Sequence, residues 1–295
     1  MAAAVDVDLE ASPLGPSPSR SEVGGRISAS AERRGTILKY KADRGPVAFV
    51  LSIFALRMAL WALATPLVCG IGVLPLAIVG MFIAPINHHH QHVNSFCSSW
   101  LNRLYDIVLA VQCGIAPYGW VLHHNLGHHL NYLNQPPNDS PDESHWTRTN
   151  GTQMGRLEYS LHLLLHHQVD IFRVGRRHPR HLRAFLLMKL PLWGLLGIGL
   201  WLRPVETLLI FLVPSFITLA HTVWATYEHH AGWPQDDHLV ASLNRDNRVY
   251  NTLTGNLGLH TAHHKRPGLH WSLLPELHAQ IRHRIPKEQI LKTFW

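Results

Sequence analysis

Two long apolar stretches constrain the fold of this chain more than any other feature of its sequence. The first covers 38 residues, from 47 to 84, and carries a single charge, that of Arg57. A membrane helix needs about 20 apolar residues, so the stretch is long enough for two. Cys69–Gly72 interrupts it with two glycines. The pattern therefore predicts a hairpin with spans at 47–68 and 71–86.

A second apolar stretch runs from 184 to 224 and is split near Arg203–Pro204, which predicts spans at 184–202 and 205–224. Apolar residues make up 46% of the chain and charged residues only 15%, as expected for a membrane protein with polar portions. Arg57 is unusual, because an arginine near mid-span is costly. Either the first span begins before residue 47, or Arg57 meets a polar group in a substrate path.

Lysine and arginine predict the orientation, since they are retained on the cytoplasmic side. Seven precede residue 46, eight lie between 87 and 183, and eight follow residue 228, whereas the two hairpin turns hold only Arg203. Both termini and the polar segments are therefore expected to be cytoplasmic. The net charge of +7 is consistent with an anionic leaflet. A nucleic-acid partner is not supported, because no basic helix or aromatic RNA-binding motif is present.

The rest of the chain divides around these hairpins. Residues 1–45 are predicted to form a flexible tail, 46–286 one membrane domain, and 287–295 a C-terminal tail. The Ser and Arg bias of the first tail leaves organellar targeting open. Segments 100–121 and 156–174 are apolar but interrupted by charges, which is typical of interfacial helices. The three cysteines form no C-x-x-C pair, so neither a disulfide framework nor an iron–sulfur site is indicated.

Three histidine clusters lie between the hairpins and after them, at 87–92, 123–129 and 260–264. Side chains three or four residues apart share one face of a helix, so each cluster can present several imidazoles together. The candidate ligands are His88, His92, His124, His128, His129, His260, His263 and His264. Eight nitrogens are twice what a four-coordinate zinc site uses, which indicates two metal ions. The alternatives are a tract that binds metal loosely and helix faces of hydrogen-bonded core histidines.

A further group, His162, His166 and His167, also has helical spacing. It exceeds the number of ligands that two ions need. We interpret it as a polar helix face that packs against other helices.

The order HxxxH, HxxxHH and HxxHH, interleaved with two membrane hairpins, resembles the integral-membrane fatty acid desaturase and hydroxylase superfamily over about residues 47–286. The segment 269–278, Leu-His-Trp-Ser-Leu-Leu-Pro-Glu-Leu-His, is similar to acyl-lipid desaturases. The H-x-x-G-H-H form of the second cluster also occurs in membrane alkane hydroxylases. The same clusters serve sterol and carotenoid oxygenases and alkene-forming decarboxylases.

This resemblance implies a ninth ligand just after the fourth span, where the chain reads Glu228-His229-His230. The preceding glutamate favours His229, with His230 as the alternative and His221 as a weaker third candidate. Glu228 is a candidate to hold a ligand histidine in place, although a surface glutamate is an equally good interpretation.

Imidazole alone suits zinc, copper and iron, so it is the resemblance, together with the apolar setting, that implies two iron ions and O2 as co-substrate. The expected protein is an all-α, polytopic membrane protein with four transmembrane helices in two hairpins, interfacial helices and a cytoplasmic histidine-rich cap. Its expected activity is fatty acyl desaturation. A hydroxylase or a decarboxylase of the same superfamily is the alternative, and a non-catalytic metal-binding membrane protein is a further one.

Electrons must come from a separate protein, because the chain has no G-x-G-x-x-G motif and no cysteine cluster. The resemblance implies a ferredoxin, a rubredoxin or cytochrome b5 with its reductase. The densest basic patch, Arg176, Arg177, Arg180 and Arg183, is a candidate docking surface for that donor. Anionic lipid headgroups are the competing partner for these arginines.

Overall fold

The computed structural model describes residues 36–137 and 144–294 and is almost entirely helical. Most of the predicted tail at 1–45 therefore lies outside the described residues. Within them, four helices are long and apolar enough to cross a membrane: Lys41–Leu63, Pro66–His92, Pro179–Leu202 and Pro204–His230. The predicted fold class is confirmed.

The first hairpin consists of a 3-10 turn, Lys41–Asp43, followed by α1, Arg44–Leu63, and α2, Pro66–His92. The predicted break at Cys69–Gly72 is wrong, since those residues lie inside α2 and the chain turns earlier, at residues 64 and 65. Thr65 is extended because the ring of the following proline disfavours helix, and Pro66 begins the new helix without needing an N–H partner. α2 also continues beyond residue 86 and carries the first histidine cluster in its last turns.

The second hairpin is formed by α6, Pro179–Leu202, and by a fourth span built from α7, Pro204–Thr207, a π-helix, Leu208–Leu212, and α8, Val213–His230. It breaks at Arg203 as the sequence predicts. The Arg203 guanidinium donates to the carbonyls of Ala62 and Ala64, the latter over 2.9 Å, and so joins the turns of the two hairpins.

Several shorter elements lie outside the spans. Between the hairpins they are α3, Ser99–Cys113; a π-helix, Val121–His128; α4, His129–Asn131; and α5, Arg156–Arg177. After α8 they are β1, Asn244–Arg245; α9, Arg248–Thr254; α10, His260–Lys265; α11, Leu274–Ile281; β2, Ile290–Leu291; and the 3-10 turns Trp271–Leu273, Arg282–Arg284 and Lys287–Gln289. The two strands pair in parallel, with Asn244 opposite Ile290. We call residues 231–286, which follow α8, the polar cap. The predicted C-terminal tail begins with residues that pack onto this cap, since β2 pairs with β1.

α5 has the surface expected of an interfacial helix. One face is buried and includes Tyr159 and Leu163, whereas Leu157, Leu161 and Leu165, one turn apart, are 63%, 51% and 75% exposed. A stripe of exposed leucines on an amphipathic helix suits the boundary between headgroups and acyl chains.

Arg57 lies fully buried between the spans. Its guanidinium donates to the carbonyl of Ile210 over 2.6 Å and to that of Leu76 over 2.8 Å. Pro214, four residues after Ile210, has no N–H to donate to the Ile210 carbonyl. The guanidinium of Arg57 donates to that carbonyl from a neighbouring span instead. The observed partners of Arg57 are therefore backbone carbonyls.

The two central spans, α2 and α8, approach closely at Gly80. A side chain on Gly80 would collide with the hydroxyl of Thr218, which itself donates to the carbonyl of Ala77 over 3.1 Å. This close packing sets the distance between the first histidine cluster and the end of α8.

Candidate metal centre

The histidine clusters converge into two groups of imidazoles beneath the polar cap. In the first group, the ligand atoms of five histidines all lie within 4.8 Å of one another: His88, His92, His124, His129 and His263. The second group contains His128, His230 and His264 at the same spacing. The three clusters, which are far apart in sequence, therefore form one buried pair of sites.

The last turns of α2 separate ligand candidates from other histidines. His88 and His92 are one helical turn apart and both face the first group, with the Nε2 of His88 2.8 Å from that of His124. His89 faces away and its Nε2 lies 3.1 Å from the Thr254 carbonyl. The His90 ring pairs with Ser95 over 3.0 Å. Helical periodicity alone accounts for this division.

The second cluster is wound as a π-helix, and this changes which of its histidines act together. The N–H of His129 donates to the carbonyl of His124, five residues earlier, so these two side chains lie on one face. Both belong to the first group, whereas His128 faces the second. An α-helix would bring His128, four residues after His124, onto the face of His124, whereas the wider turn brings His129 there.

His230 lies at the centre of the second group. Its Nε2 is 3.2 Å from that of His128, 3.0 Å from that of His264 and 3.1 Å from that of His260. Its Nδ1 donates to the carbonyl of Ala241 over 2.8 Å, which leaves the lone pair on Nε2. His260 is in neither group, but this contact places it beside the second one, so nine imidazoles surround the two sites.

The structure places His229 beside this group and outside both. Its ring packs on that of His260 at a centroid distance of 4.2 Å. Both carboxylate oxygens of the neighbouring Glu228 are held by arginines, one by Arg245 over 2.6 Å and the other by Arg156 over 2.9 Å. Glu228 therefore contacts guanidinium groups and not a ligand imidazole. His221 is in neither group.

The electrostatics of the site suit metal ligation. Burial, reinforced by neighbouring imidazoles, holds the pKa of His124, His129, His260, His263 and His264 well below the usual histidine range. These rings are neutral at physiological pH and each offers a lone pair. The Nε2 atoms of His92 and His263 are buried and accept no hydrogen bond from the described residues. A cation shared between the rings would satisfy these nitrogens, so the residues fit a metal centre.

Aromatic residues that the sequence analysis did not single out enclose the imidazoles. Trp146 stacks on His230 with centroids 5.3 Å apart, and Trp120 packs against His88 at 5.3 Å. Tyr132 lies 4.2 Å from the ring of His264. Trp120 precedes the second cluster by three residues and Tyr132 follows it by three, and this proximity is the only sign of their position in the sequence.

A cavity of about 120 Å³ opens beside the second group, between the π-helix, α5 and α8. Five histidines line it: His124, His128, His229, His230 and His260. The rest of the lining is largely apolar and includes Ile115, Leu163, Ile171, Leu219 and Val223.

Of the helical histidines 162, 166 and 167, none belongs to either group of imidazoles. His167 lines this cavity, and the rings of His162 and His166 stack on each other at 4.4 Å.

A family model of fatty acid desaturases matches residues 51–294, which covers most of the first hairpin, the second hairpin and all three histidine clusters. The chain belongs to the fatty acid desaturase family. No curated protein and no solved structure matches it significantly. Family membership and the two groups of imidazoles support a membrane oxidoreductase of the desaturase type. Membership of the superfamily that the histidine clusters resemble is thereby confirmed.

Proposed function

We propose that this desaturase-family protein introduces a carbon–carbon double bond into a fatty acyl chain, using O2 and two iron ions. One observation carries the proposal: imidazoles from both groups, His124, His128 and His230, line a cavity whose remaining lining is largely apolar. An alkyl chain in that cavity would lie directly against the metal centre and away from bulk water.

The proposed ligands of one iron are His88, His92, His124, His129 and His263, and those of the other are His128, His230, His260 and His264. The choice of His230 over His229 rests on the three nitrogens within 3.2 Å of its Nε2. When bound, two irons would supply the redox chemistry that O2 needs to attack an unactivated C–H bond.

The residues of the chain itself determine where that chemistry acts. Leu163, Leu219 and Val223 would pack along the acyl chain and exclude water from the reacting carbons. Thr222 and Thr226, one turn apart on α8, add hydroxyls to the cavity wall. Trp146 and Tyr132 would hold the rings of His230 and His264 against rotation.

The proposed partners are a lipid or acyl substrate, the surrounding membrane lipids, and a separate electron donor such as a ferredoxin, a rubredoxin or cytochrome b5 with its reductase. The four arginines at the junction of α5 and α6 are exposed. Exposed Val169 and Phe172 continue the stripe of leucines along α5 as far as these arginines, so we assign this patch to anionic headgroups and not to the donor. The charge pattern supports a cytoplasmic position for the cap and the histidines.

The test is mass spectrometry of total lipids and hydrocarbons from a host that expresses the protein, beside His128→Ala and the matched control His166→Ala. Desaturation predicts acyl chains lighter by two hydrogens with the wild type and the control, and none with His128→Ala. Addition of one oxygen would instead establish a hydroxylase, and a shortened terminal alkene a decarboxylase. Unchanged lipids together with bound zinc would favour a non-catalytic metal protein.

A further inference from the structure

Tyr132 packs against all three imidazoles of the second group. The centroid of its ring lies 4.2 Å from that of His264, 5.0 Å from that of His230 and 5.5 Å from that of His128. The side chain is 1% exposed and belongs to an apolar cluster that also includes Trp146. An oxidisable phenol ring is therefore in direct contact with the proposed ligands of one metal ion.

The hydroxyl of Tyr132 is paired with a base. Its partner among the described residues is the Nδ1 of His238, at 2.7 Å. A buried hydroxyl proton needs an acceptor, so the phenol donates and Nδ1 carries the lone pair. His238 belongs to the polar cap and is half-buried. Burial lowers the pKa of His238, so the ring is neutral at physiological pH and can accept a proton.

Packing alone does not require this pair, because phenylalanine has the same ring and no hydroxyl to satisfy. Tyr105 shows the difference. It is also buried and packs on a histidine, His90, at a centroid distance of 5.0 Å, but that histidine is in neither group of imidazoles. The Tyr105 hydroxyl has no hydrogen-bond partner among the described residues. Only Tyr132 combines contact with the metal centre and a proton acceptor at 2.7 Å.

We propose that Tyr132 and His238 form a redox-active pair, which supplies one electron to the metal centre after O2 has oxidised it. The inference rests on the proposed function for that oxidant. The phenol gives one electron to the oxidised centre, and its O–H bond breaks as the proton passes to His238 Nδ1. The products are a neutral tyrosyl radical, an imidazolium and a centre reduced by one electron. One electron from the separate donor, with the proton returned by His238, restores the phenol.

The pair acts when O2 reacts while no acyl chain is in the cavity beside the imidazoles. The oxidising equivalent intended for a C–H bond then faces only the protein, and the ligand imidazoles are the nearest groups. Electron transfer from Tyr132 reduces the centre before a ligand is damaged. Tyr132 is not among the described residues that line the cavity, so an acyl chain can bind there without displacing it.

Rapid-freeze EPR spectroscopy of the full-length, iron-loaded protein tests the proposal. The reduced protein is mixed with O2 in detergent without a lipid substrate. We expect a tyrosyl radical, identified by the narrowing of its signal in protein made with ring-deuterated tyrosine. Tyr132→Phe, which keeps the ring, should abolish the signal. His238→Ala should slow its formation about a hundredfold, because a positioned proton acceptor contributes roughly 10²–10⁴-fold, and added imidazole should restore the rate.

Tyr105→Phe is the matched control and should give the wild-type signal. If Tyr132→Phe does not fold, the rate in His238→Ala and its rescue by imidazole decide. A radical that persists in Tyr132→Phe, or that forms at the wild-type rate in His238→Ala, would overturn the proposal.

A second measurement separates this inference from the proposed function. Metal-free protein is oxidised by a flash-generated ruthenium(III) polypyridyl complex, and the radical at Tyr132 is the difference between the transient absorption of the wild type and that of Tyr132→Phe. A radical there that depends on His238, together with unchanged host lipids, would support the pair and contradict the proposed function. Desaturated host lipids with no radical at Tyr132 in either measurement would leave the proposed function and overturn this inference.

Discussion

Replacing Arg57 by methionine would test whether a charged residue in the middle of a span stabilises this bundle. The side chain keeps a similar length, but the carbonyl of Ile210 loses its donor, and Pro214 cannot replace it. The carbonyl of Leu76 loses its bond to the guanidinium as well. The guanidinium is already within the membrane before the helices pack, so packing adds mainly these two hydrogen bonds.

The magnitude follows from hydrogen bonds between membrane helices, which average about 0.6 kcal/mol and reach about 1.7 kcal/mol. Two bonds from a charged donor place the loss for Arg57→Met near the upper end, at about 2–3 kcal/mol. A domain of this size loses about 2–4 °C in Tm per kcal/mol, so we expect a fall of roughly 5–10 °C.

The structure provides both the assay and the controls. Cys69 and Cys113 are buried and react with a thiol-reactive fluorophore only when the protein unfolds. The increase in fluorescence on heating in detergent therefore measures unfolding, and exposed Cys97 adds a constant background. Pro214→Ala restores an N–H opposite Ile210 and should recover part of the loss only in the Arg57→Met background. Lys189→Met, which removes a half-buried cation from α6, should change Tm by less than about 2 °C. An Arg57→Met protein as stable as the wild type would refute the reasoning.

Three further predictions concern the metal centre, the acyl cavity and the bundle. His230→Ala should lose at least half of the bound iron in elemental analysis, whereas His229→Ala should bind as much iron as the wild type. A larger loss of iron in His229→Ala than in His230→Ala would assign the ninth ligand to His229. Thr222→Phe should shift the products towards shorter chains in gas chromatography of host lipids, because it narrows the cavity, and an unchanged chain-length profile would exclude Thr222 from the substrate path. Gly80→Ala should lower Tm by about 2–10 °C through overpacking against Thr218, and an unchanged Tm would mean that α2 and α8 can separate there at no cost.

Hydropathy was sufficient to predict the number of spans and their pairing, because membrane helices are defined by length and polarity. The predicted position of the first turn was wrong, because the prediction placed the turn at the two glycines 70 and 72 and not before Pro66. Glycine is tolerated in a membrane helix whose backbone groups are satisfied internally, whereas proline at the start of a helix ends whatever precedes it.

Eight of the nine proposed ligands were candidates from spacing alone, but their division between the two irons was not. It depends on the π-helical turn that brings His129 above His124, and hydrophobic periodicity does not report a turn of that kind. The orientation of the His230 ring depends on the Ala241 carbonyl, which lies eleven residues later in the segment after α8 and which helical spacing does not predict. The contact of Asp43 with His270 joins residues 227 positions apart, a distance over which local patterns carry no information.

Quantification of iron in purified protein, combined with Mössbauer spectroscopy after loading with ⁵⁷Fe, tests the central claim most directly. Nine proposed imidazole ligands in two sets predict about two irons per chain in two nitrogen-rich environments, and the loss of one environment in His230→Ala. A single iron per chain, or stoichiometric zinc that iron does not displace, would contradict the account.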